Sequence, residues 1–361
     1  MTSNELMTIG VFAQHSGLTA SALRFYADSG LLPPAEVDAV TGYRFYDPIQ
    51  IERAVLVRRL REIGMPLDAV KSAIDADPVT AAGLVDTHLE LLVGDAAIAR
   101  ERVAAIKTAL TGAPSLEVAS LSGPIFAAAI DQVLDATACE PGMAVLDGVR
   151  FESGPESVVL TATDRYRLAT RTIVAESAAP TIWAATLHAG DLRQILPTLR
   201  RSPRLVLAAS PLSLVLRSVD GGERHCRLLA DPYPDFRGMI ARLPEPGTRV
   251  VVNKTALLRA METTDAAHLL VNATSKEIAL RSAADQSGSE VRIPAAATGP
   301  EADVGFHMAT LYPAISSAIG ADLIIDLRGP SAPATIRSAD TGDLTTLAMP
   351  AIPNHPEYLD D

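Results

Sequence analysis

The period of the apolar positions changes once along the chain. Over residues 1–112 it follows helical spacing. Over 117–353 it mostly alternates in short runs, the mark of half-buried strands with a few helices between them. In the helical part, TIGVFAQHSG (8–17) predicts a short helix with Thr8 at its N-cap. Thr19 can cap a second helix over 20–29, and Gly30 stands where a C-cap belongs. Two short helices across a tight turn make a helix-turn-helix pattern. Leu31–Leu32–Pro33–Pro34 then breaks the helix, and TGYRFYDP (41–48) alternates aromatic and turn residues as a small β-wing does. A further helix is expected over 48–63, carrying Arg53, Arg58, Arg59 and Arg61, and another from about Pro66.

Residues 80–112 predict one long helix. Ala82, Val85, Leu89, Leu92, Ala96, Ala99, Val103, Ile106 and Leu110 alternate spacings of three and four without a break, a heptad seam of about four repeats. A helix packed on its own domain gives the same pattern. Its length, and the small alanines that permit close approach, favour a coiled coil between two chains. Gly112–Ala113–Pro114 ends it. The remainder repeats one theme. Helix 123–138 precedes strands 143–152 and 157–163; helix 189–200 precedes strands 204–209, 212–218 and 224–229. The theme returns as helix 253–263, strands 268–273 and 277–282, helix 306–319 and strands 322–328, 333–338 and 344–349. Two structural copies of a unit are the simplest reading, with Pro244–Glu245–Pro246–Gly247 between them.

Composition narrows the chemistry. At 361 residues the chain has room for two or three domains. Apolar residues make up 48% but aromatics only 4%, so Ala, Val and Leu must fill the cores. A formal charge of −12 excludes a protein coated in basic charge, yet not one local DNA-reading module. Cys139 and Cys226 have no ligand at metal spacing, and in a strand His225 and Cys226 face opposite ways, so two packed thiols and no metal or other cofactor are expected. There is no phosphate-binding glycine loop, nucleophile motif or paired-carboxylate motif. The seven histidines are scattered and His307 reads as structural, so an enzyme is not expected. Without a secretory signal or an apolar run near 18 residues, the chain is expected in the cytoplasm, with no membrane partner.

The text "TIGVFAQHSGLTASALRFYADSGLLPP", then "TGYRFYDP" and "LREIGMPLDAVKSAI", resembles the MerR family of bacterial transcription regulators over residues 8–75, with the long helix where that family has its dimerisation helix. The resemblance implies a homodimer, joined through residues 80–112, on a pseudo-palindromic double-stranded promoter, and distortion of that DNA so that RNA polymerase can use it. The second helix offers Ser21, Arg24 and Tyr26 to the major groove and the wing offers Arg44 and Tyr46; Phe25 is read as core. Glu36 and Asp38 stand where the family often has a basic residue. Residues 1–70 hold six Lys and Arg against eight Asp and Glu, a net of −2, so affinity should rest on a few placed arginines.

Residues 117–353 resemble the middle and C-terminal domains of the bacterial DNA polymerase III β sliding clamp. The resemblance lies in "VLDGVRFES" (145–153), "TATDRYRLA" (161–169), "DPYPDFRGMI" (231–240) and "TTLAMPAI" (345–352), in order and spacing. In clamps these segments converge on a pocket for short peptides. By motif, Leu146, Thr163, Arg167, Leu168, Pro234, Met239, Leu347, Met349 and Pro350 would line it, with Leu and Met as floor, Pro234 as wall and Thr163 and Arg167 as polar handles facing the ligand. A second reading of the same turn stays open: Asp164 and Arg167 pair to hold it, and Leu168 is core. Clamps usually have Gly and His where this chain has Arg165 and Tyr166, and a larger residue than Ala351. The first clamp domain is replaced by the DNA-binding domain. Two chains supply four clamp-like domains where a closed ring needs six. The four helices that would line a ring carry only Arg193, Arg200, Arg201, Lys254 and Arg259, against Asp131 and Asp135, so the region is not expected to encircle DNA.

The expected fold class is therefore multidomain: an all-α, winged helix-turn-helix DNA-binding domain with a long coiled-coil helix, then α+β sliding-clamp-like (DNA clamp) domains. The expected boundaries are 1–78 for DNA binding, 79–112 for dimerisation, 117–243 and 247–353 for the two clamp-like domains, and 354–361 for an acidic tail. The leading functional reading is a transcription regulator whose clamp-like region binds an effector, either a peptide-like compound that targets clamps or a clamp-binding peptide. The alternative is a replication-linked scaffold that anchors clamp-binding proteins on DNA.

Overall fold

The computed structural model describes residues 6–111, 115–176, 182–264, 266–283 and 290–351. The expected tail 354–361 and the stop at Gly112–Ala113–Pro114 lie outside the described residues. Contacts divide the chain into two compact units, Met1–Ala99 and Arg100–Asp361.

The first unit opens with β1 (Met7–Thr8) and α1 (Ile9–Ser16), which Gly17 closes in the left-handed conformation at φ 70°. Thr8 holds the N-cap position without a side-chain cap bond. Thr19 does cap α2 (Ala20–Asp28): its hydroxyl accepts from Ala22 N at 3.1 Å. The wing is three short antiparallel strands, with β3 (Arg44–Tyr46) between β1 and β2 (Glu36–Val37). Helices α3 (Gln50–Glu62) and α4 (Leu67–Asp75) follow, then α5 (Pro78–Thr111). The core gathers Phe12, Leu23, Leu32, Tyr46, Val57, Met65 and Val70, with Phe12 stacked on Tyr46 at 4.5 Å. Leu84 and Val85 anchor the start of α5 on that core.

The second unit contains two copies of one element order. The first runs β4 (Leu116–Leu121), α6 (Gly123–Leu134), β5 (Gly148–Ser153), β6 (Ser157–Thr163), β7 (Arg167–Val174), β8 (Trp183–His188), α7 (Ala189–Leu199), β9 (Leu205–Ala209), β10 (Ser213–Ser218) and β11 (Glu223–Leu229). A short helix, α8 (Phe236–Ala241), lies between the copies. The second runs β12 (Thr248–Asn253), α9 (Lys254–Thr264), β13 (His268–Ala273), β14 (Glu277–Ser282), β15 (Val291–Thr298), β16 (Ala302–His307), α10 (Met308–Ser316), β17 (Asp322–Leu327), β18 (Ala334–Ser338) and β19 (Leu344–Ala348).

These strands form one antiparallel sheet, ordered β16-β13-β14-β15-β12-β17-β18-β19-β7-β6-β5-β8-β11-β10-β9-β4. Superposing the two orders shows one circular arrangement opened at different seams. The first copy is open between β4 and β7, the second between β19 and β16. The freed β7 and β19 pair with each other, Leu168 opposite Leu347 and Thr170 opposite Thr345, and so join the copies. Single backbone bonds still cross the opened seams, Glu176 N to Ser120 O at 2.8 Å and Ala351 N to Gly305 O at 2.9 Å. Alternate residues along each strand face the helices: Phe151, Leu160, Ala162 and Ala169 pack with Phe126, Ile130 and Leu192. Gly123 admits the end of α7, since a Cβ there would lie 2.0 Å from Ser202 O. The equivalent core of the second copy holds Leu257, Met261, Phe306, Leu311 and Ile315.

Three expectations change. Residues 144–147, read as strand, form a 3-10 turn. Strands β4, β7, β8, β12, β15 and β16 and helix α8 were not foreseen. Pro294 lies inside β15, although proline supplies no ladder donor. It sits where β15 changes partner, pairing with β14 through Pro294 and with β12 from Ala295. Cys226 is buried as expected, but Cys139 is exposed. No helix among the described residues is long and apolar enough to cross a membrane.

Candidate functional site

On α2, Leu23 and Tyr26 turn inward, three residues apart, and join the core. The opposite face carries Ser21, Arg24 and Phe25, all exposed. Phe25, expected in the core, is 57% exposed, while Tyr26 is 8% exposed. Tyr46 is fully buried and its hydroxyl donates to Leu23 O at 3.3 Å, so it supports α2 from within the core. Burial also raises its pKa above the ordinary tyrosine range. Arg44 is half-buried and donates to Asp28 at 2.7 Å and to Arg24 O at 3.0 Å, which fastens the wing to α2. Of the five residues expected to meet DNA, Ser21 and Arg24 stand on the open helix face, Arg44 braces the wing, and Tyr26 and Tyr46 belong to the core. Beside them opens a hollow of about 670 Å³ in which Phe25 and Arg61 also take part; neither was on the expected list.

The turn after β6 is held by its own side chains. Asp164 accepts from Tyr166 N at 3.0 Å and Arg167 N at 2.6 Å, and its second oxygen takes Arg167 Nε at 2.8 Å. Arg167 Nη2 donates to Asp135 O at 2.6 Å, at the C-terminal end of α6 where a cation is favoured. Thr163 donates to Arg167 O at 2.7 Å and accepts from Arg165 N at 3.2 Å. Strand parity explains this: Leu168 is on the face away from the helices, so its neighbour Arg167 is on the helix side. The expectation that Arg167 faces a ligand is corrected; its guanidinium is committed to the turn and to α6. Arg165 occupies the left-handed region at φ 77°, a conformation that favours glycine. Its guanidinium reaches Glu140 at 3.2 Å.

On the face away from the helices, Leu168 and Leu347 form a small cluster with Phe236 from α8, flanked by Tyr233 and Leu243. Tyr233 donates to Thr161 O at 3.1 Å, and its burial drives its pKa up. Met239 is 39% exposed on the same short helix, and Met349, just past the end of β19, is half-buried. Pro234 is exposed. Leu146 and Pro350 are buried and Thr163 is 8% exposed, as Leu168 and Leu347 are at 3% and Phe236 at 8%, so the open part of this face is made by Pro234, Met239 and Met349 at the border of the cluster. Sequence reading missed Phe236 and Tyr233, although the aromatic spacing of "DPYPDFRGMI" carried the signal. Beside the cluster, a hollow of about 390 Å³ opens between β5 and residues 232–237.

A polar network around the buried Asp191 was also missed. Arg227 binds both oxygens of Asp191 at 2.8 Å, and its backbone N donates to the same carboxylate at 3.0 Å. Burial alone would raise the Asp191 pKa; the bonds from Arg227 and His188 outweigh it and hold the carboxyl well below the usual range. His188 caps α7 by accepting from Asp191 N at 3.2 Å. The network ties β8, α7 and β11 together. His307 plays the same capping part for α10, accepting from Ala309 N at 3.0 Å.

Comparison with known proteins agrees with both halves of this geometry. Residues 7–77 match the MerR HTH family regulatory proteins, and residues 120–235 match the central domain of the DNA polymerase III beta subunit. The HTH-type transcriptional regulator CueR of Yersinia pestis is 38% identical over 69 residues, 19% of this chain and 48% of that protein. The beta sliding clamp of Micrococcus luteus is 27% identical over 251 residues, 66% of this chain and 76% of that protein. The Pseudomonas aeruginosa sliding clamp solved with griselimycin bound superposes with a TM-score of 0.61 at 16% identity, over 67% of each chain. The chain spans 24% to 48% of the length of the regulators it resembles, and about two thirds of the clamp structures. A MerR helix-turn-helix domain thus stands at the N-terminus, with the sliding-clamp fold in the rest.

Proposed function

We propose that this chain, a MerR-type helix-turn-helix domain joined to clamp-fold domains, is a promoter-binding transcription regulator whose clamp-like part binds a peptide-like effector. Ser21, Arg24 and Phe25 would enter the major groove: Arg24 can take a phosphate or a guanine edge, and Phe25 a thymine methyl. Two chains would pair through α5, whose Leu89, Leu92, Ile106 and Leu110 are 41% to 80% exposed, and would read a pseudo-palindrome for RNA polymerase.

The observation that carries the effector reading is the cluster of Leu168, Phe236 and Leu347. It sits on the outer sheet face where the two copies join, and adaptable Met239 and Met349 border it. The P. aeruginosa clamp has been solved with griselimycin, and we take a ligand of that kind as the effector class. Binding can act on transcription only if the two promoter-bound states of the dimer differ in affinity for the effector. The test is calorimetric titration of the purified protein with griselimycin and, separately, with a linear clamp-binding peptide, against a Met239→Ala, Met349→Ala variant. Griselimycin binding that weakens at least tenfold in the variant is expected. Binding of the linear peptide alone would favour the scaffold, and binding of neither would reject effector sensing.

A further inference from the structure

The hollow beside the Leu168–Phe236–Leu347 cluster has a charge that nothing uses. Strand β5 projects Arg150 and Glu152 to the outer face, opposite Thr161 and Val159 of β6. Arg237 of α8 pairs with Glu152 at 2.8 Å and lies over the Phe236 ring at 5.4 Å, so these two charges cancel. Asp235 is committed to the start of α8, accepting from Gly238 N at 2.9 Å. Arg150 is half-buried, lines the same hollow, and pairs with no carboxylate among the described residues. Its charge acts on the nearby Tyr233 hydroxyl, itself bonded to Thr161 O. A half-buried guanidinium beside two aromatic walls is a receptor for an anion that carries apolar mass.

The hollow and the cluster share their partition. Tyr233 and Phe236 flank the apolar cluster and also line the hollow, and Pro234 projects from the chain between them. A ligand resting on the exposed Met239 and Pro234 at the border of that cluster therefore meets Arg150 by extending past Pro234 into the hollow. We infer that the effector site has a second, anionic subsite at Arg150, and that its ligand is an apolar peptide or peptide-like molecule bearing a carboxylate next to its apolar centre. The inference rests on the effector reading above and specifies the chemistry of that ligand.

The test uses the full-length protein and four acetylated, C-terminally amidated heptapeptides with a Leu-Leu-Phe centre, carrying Asp or Asn on its N-terminal or its C-terminal side. Wild type should prefer one Asp peptide over its Asn counterpart by roughly tenfold, the scale of one charge-assisted bond. Arg150→Gln should erase that preference while binding the Asn peptides as wild type does, which also shows that the variant is folded. Arg150→Lys should restore part of it. Peptides that bind with no Asp preference, or a preference that survives Arg150→Gln, would overturn the anionic subsite and leave the effector reading intact. A wild-type protein that binds none of the four peptides but does bind griselimycin would also overturn the subsite as drawn, and failure to bind any of these ligands would overturn both.

Discussion

At the scale of single residues, neighbouring side chains compete for one position, and the phase of the backbone decides which of them is buried. Thr19 as a cap and Leu168 beside Leu347 follow from local chemistry. Phe25 and Tyr26 are adjacent aromatics, and only the phase of α2, set by Leu23, decides which one turns inward. Arg167 was misassigned for a related reason: strand alternation places it opposite Leu168, where the end of α6 takes its charge. Arg165 makes a sharper case. An L-residue at φ 77° pays a conformational penalty of about 1–2 kcal/mol, and its half-exposed pairing with Glu140 returns only about 0–1 kcal/mol. Substitution at this position should therefore invert the usual order: Arg165→Gly should be more stable than Arg165→Ala by about 1 kcal/mol, because Ala keeps the strain and loses the pair. Urea-unfolding midpoints of the two variants, compared at equal slope, decide it. An Ala variant as stable as Gly would mean that the turn relaxes without the left-handed residue.

At the scale of elements, period and breakers located nearly every helix and missed six strands of the second unit. Two of the missed strands, β7 and β15, have their pattern interrupted at their place in the sheet. β7 carries Arg167 and Arg171 because it lies at the joint between the copies, and β15 carries Pro294 where it changes partner. Circular strand order is not a local property, so alternation within a single strand could not show it. The long helix was legible because its seam is uninterrupted. There Leu89 is 58% and Leu92 41% exposed on the surface that two chains would bury. Each apolar side chain of that size contributes about 1.5–3 kcal/mol when removed from water. Leu89→Glu with Leu92→Glu would place four carboxylates in the seam of a dimer, and should convert it to monomers in sedimentation at micromolar concentration. The circular-dichroism spectrum should stay close to that of wild type, since neither residue joins the core of the first unit. A variant that sediments unchanged would exclude the helix as the dimer contact.

At the scale of the whole molecule, the question is which part of an acidic chain holds DNA. The clamp-like copies have helices on one sheet face, as a ring that surrounds DNA would need, but most of the few cations on those helices are held internally. Arg200 pairs with Asp131 at 2.5 Å, Arg193 donates to Leu134 O and Thr137, and Lys254 donates to Ser316 O and Ala318 O at the end of α10. Burial also lowers the Lys254 pKa. Lys254 thus supports the second copy by closing the end of α10 and is withdrawn from any phosphate. Arg201 and Arg259 remain exposed, too few to build a field against the surrounding carboxylates. DNA affinity should accordingly reside in the first unit alone. In the full-length protein, Arg24→Ala should weaken promoter binding at least tenfold and, if Arg24 meets a phosphate in each half-site, lower the salt slope by about 2. Arg201→Ala with Arg259→Ala should change neither. Fluorescence anisotropy with a labelled promoter between low and moderate salt measures both quantities. If the clamp-side pair moved the slope as much as Arg24, DNA would contact the clamp-like region, and the division of labour between a DNA reader and an effector receptor would fail.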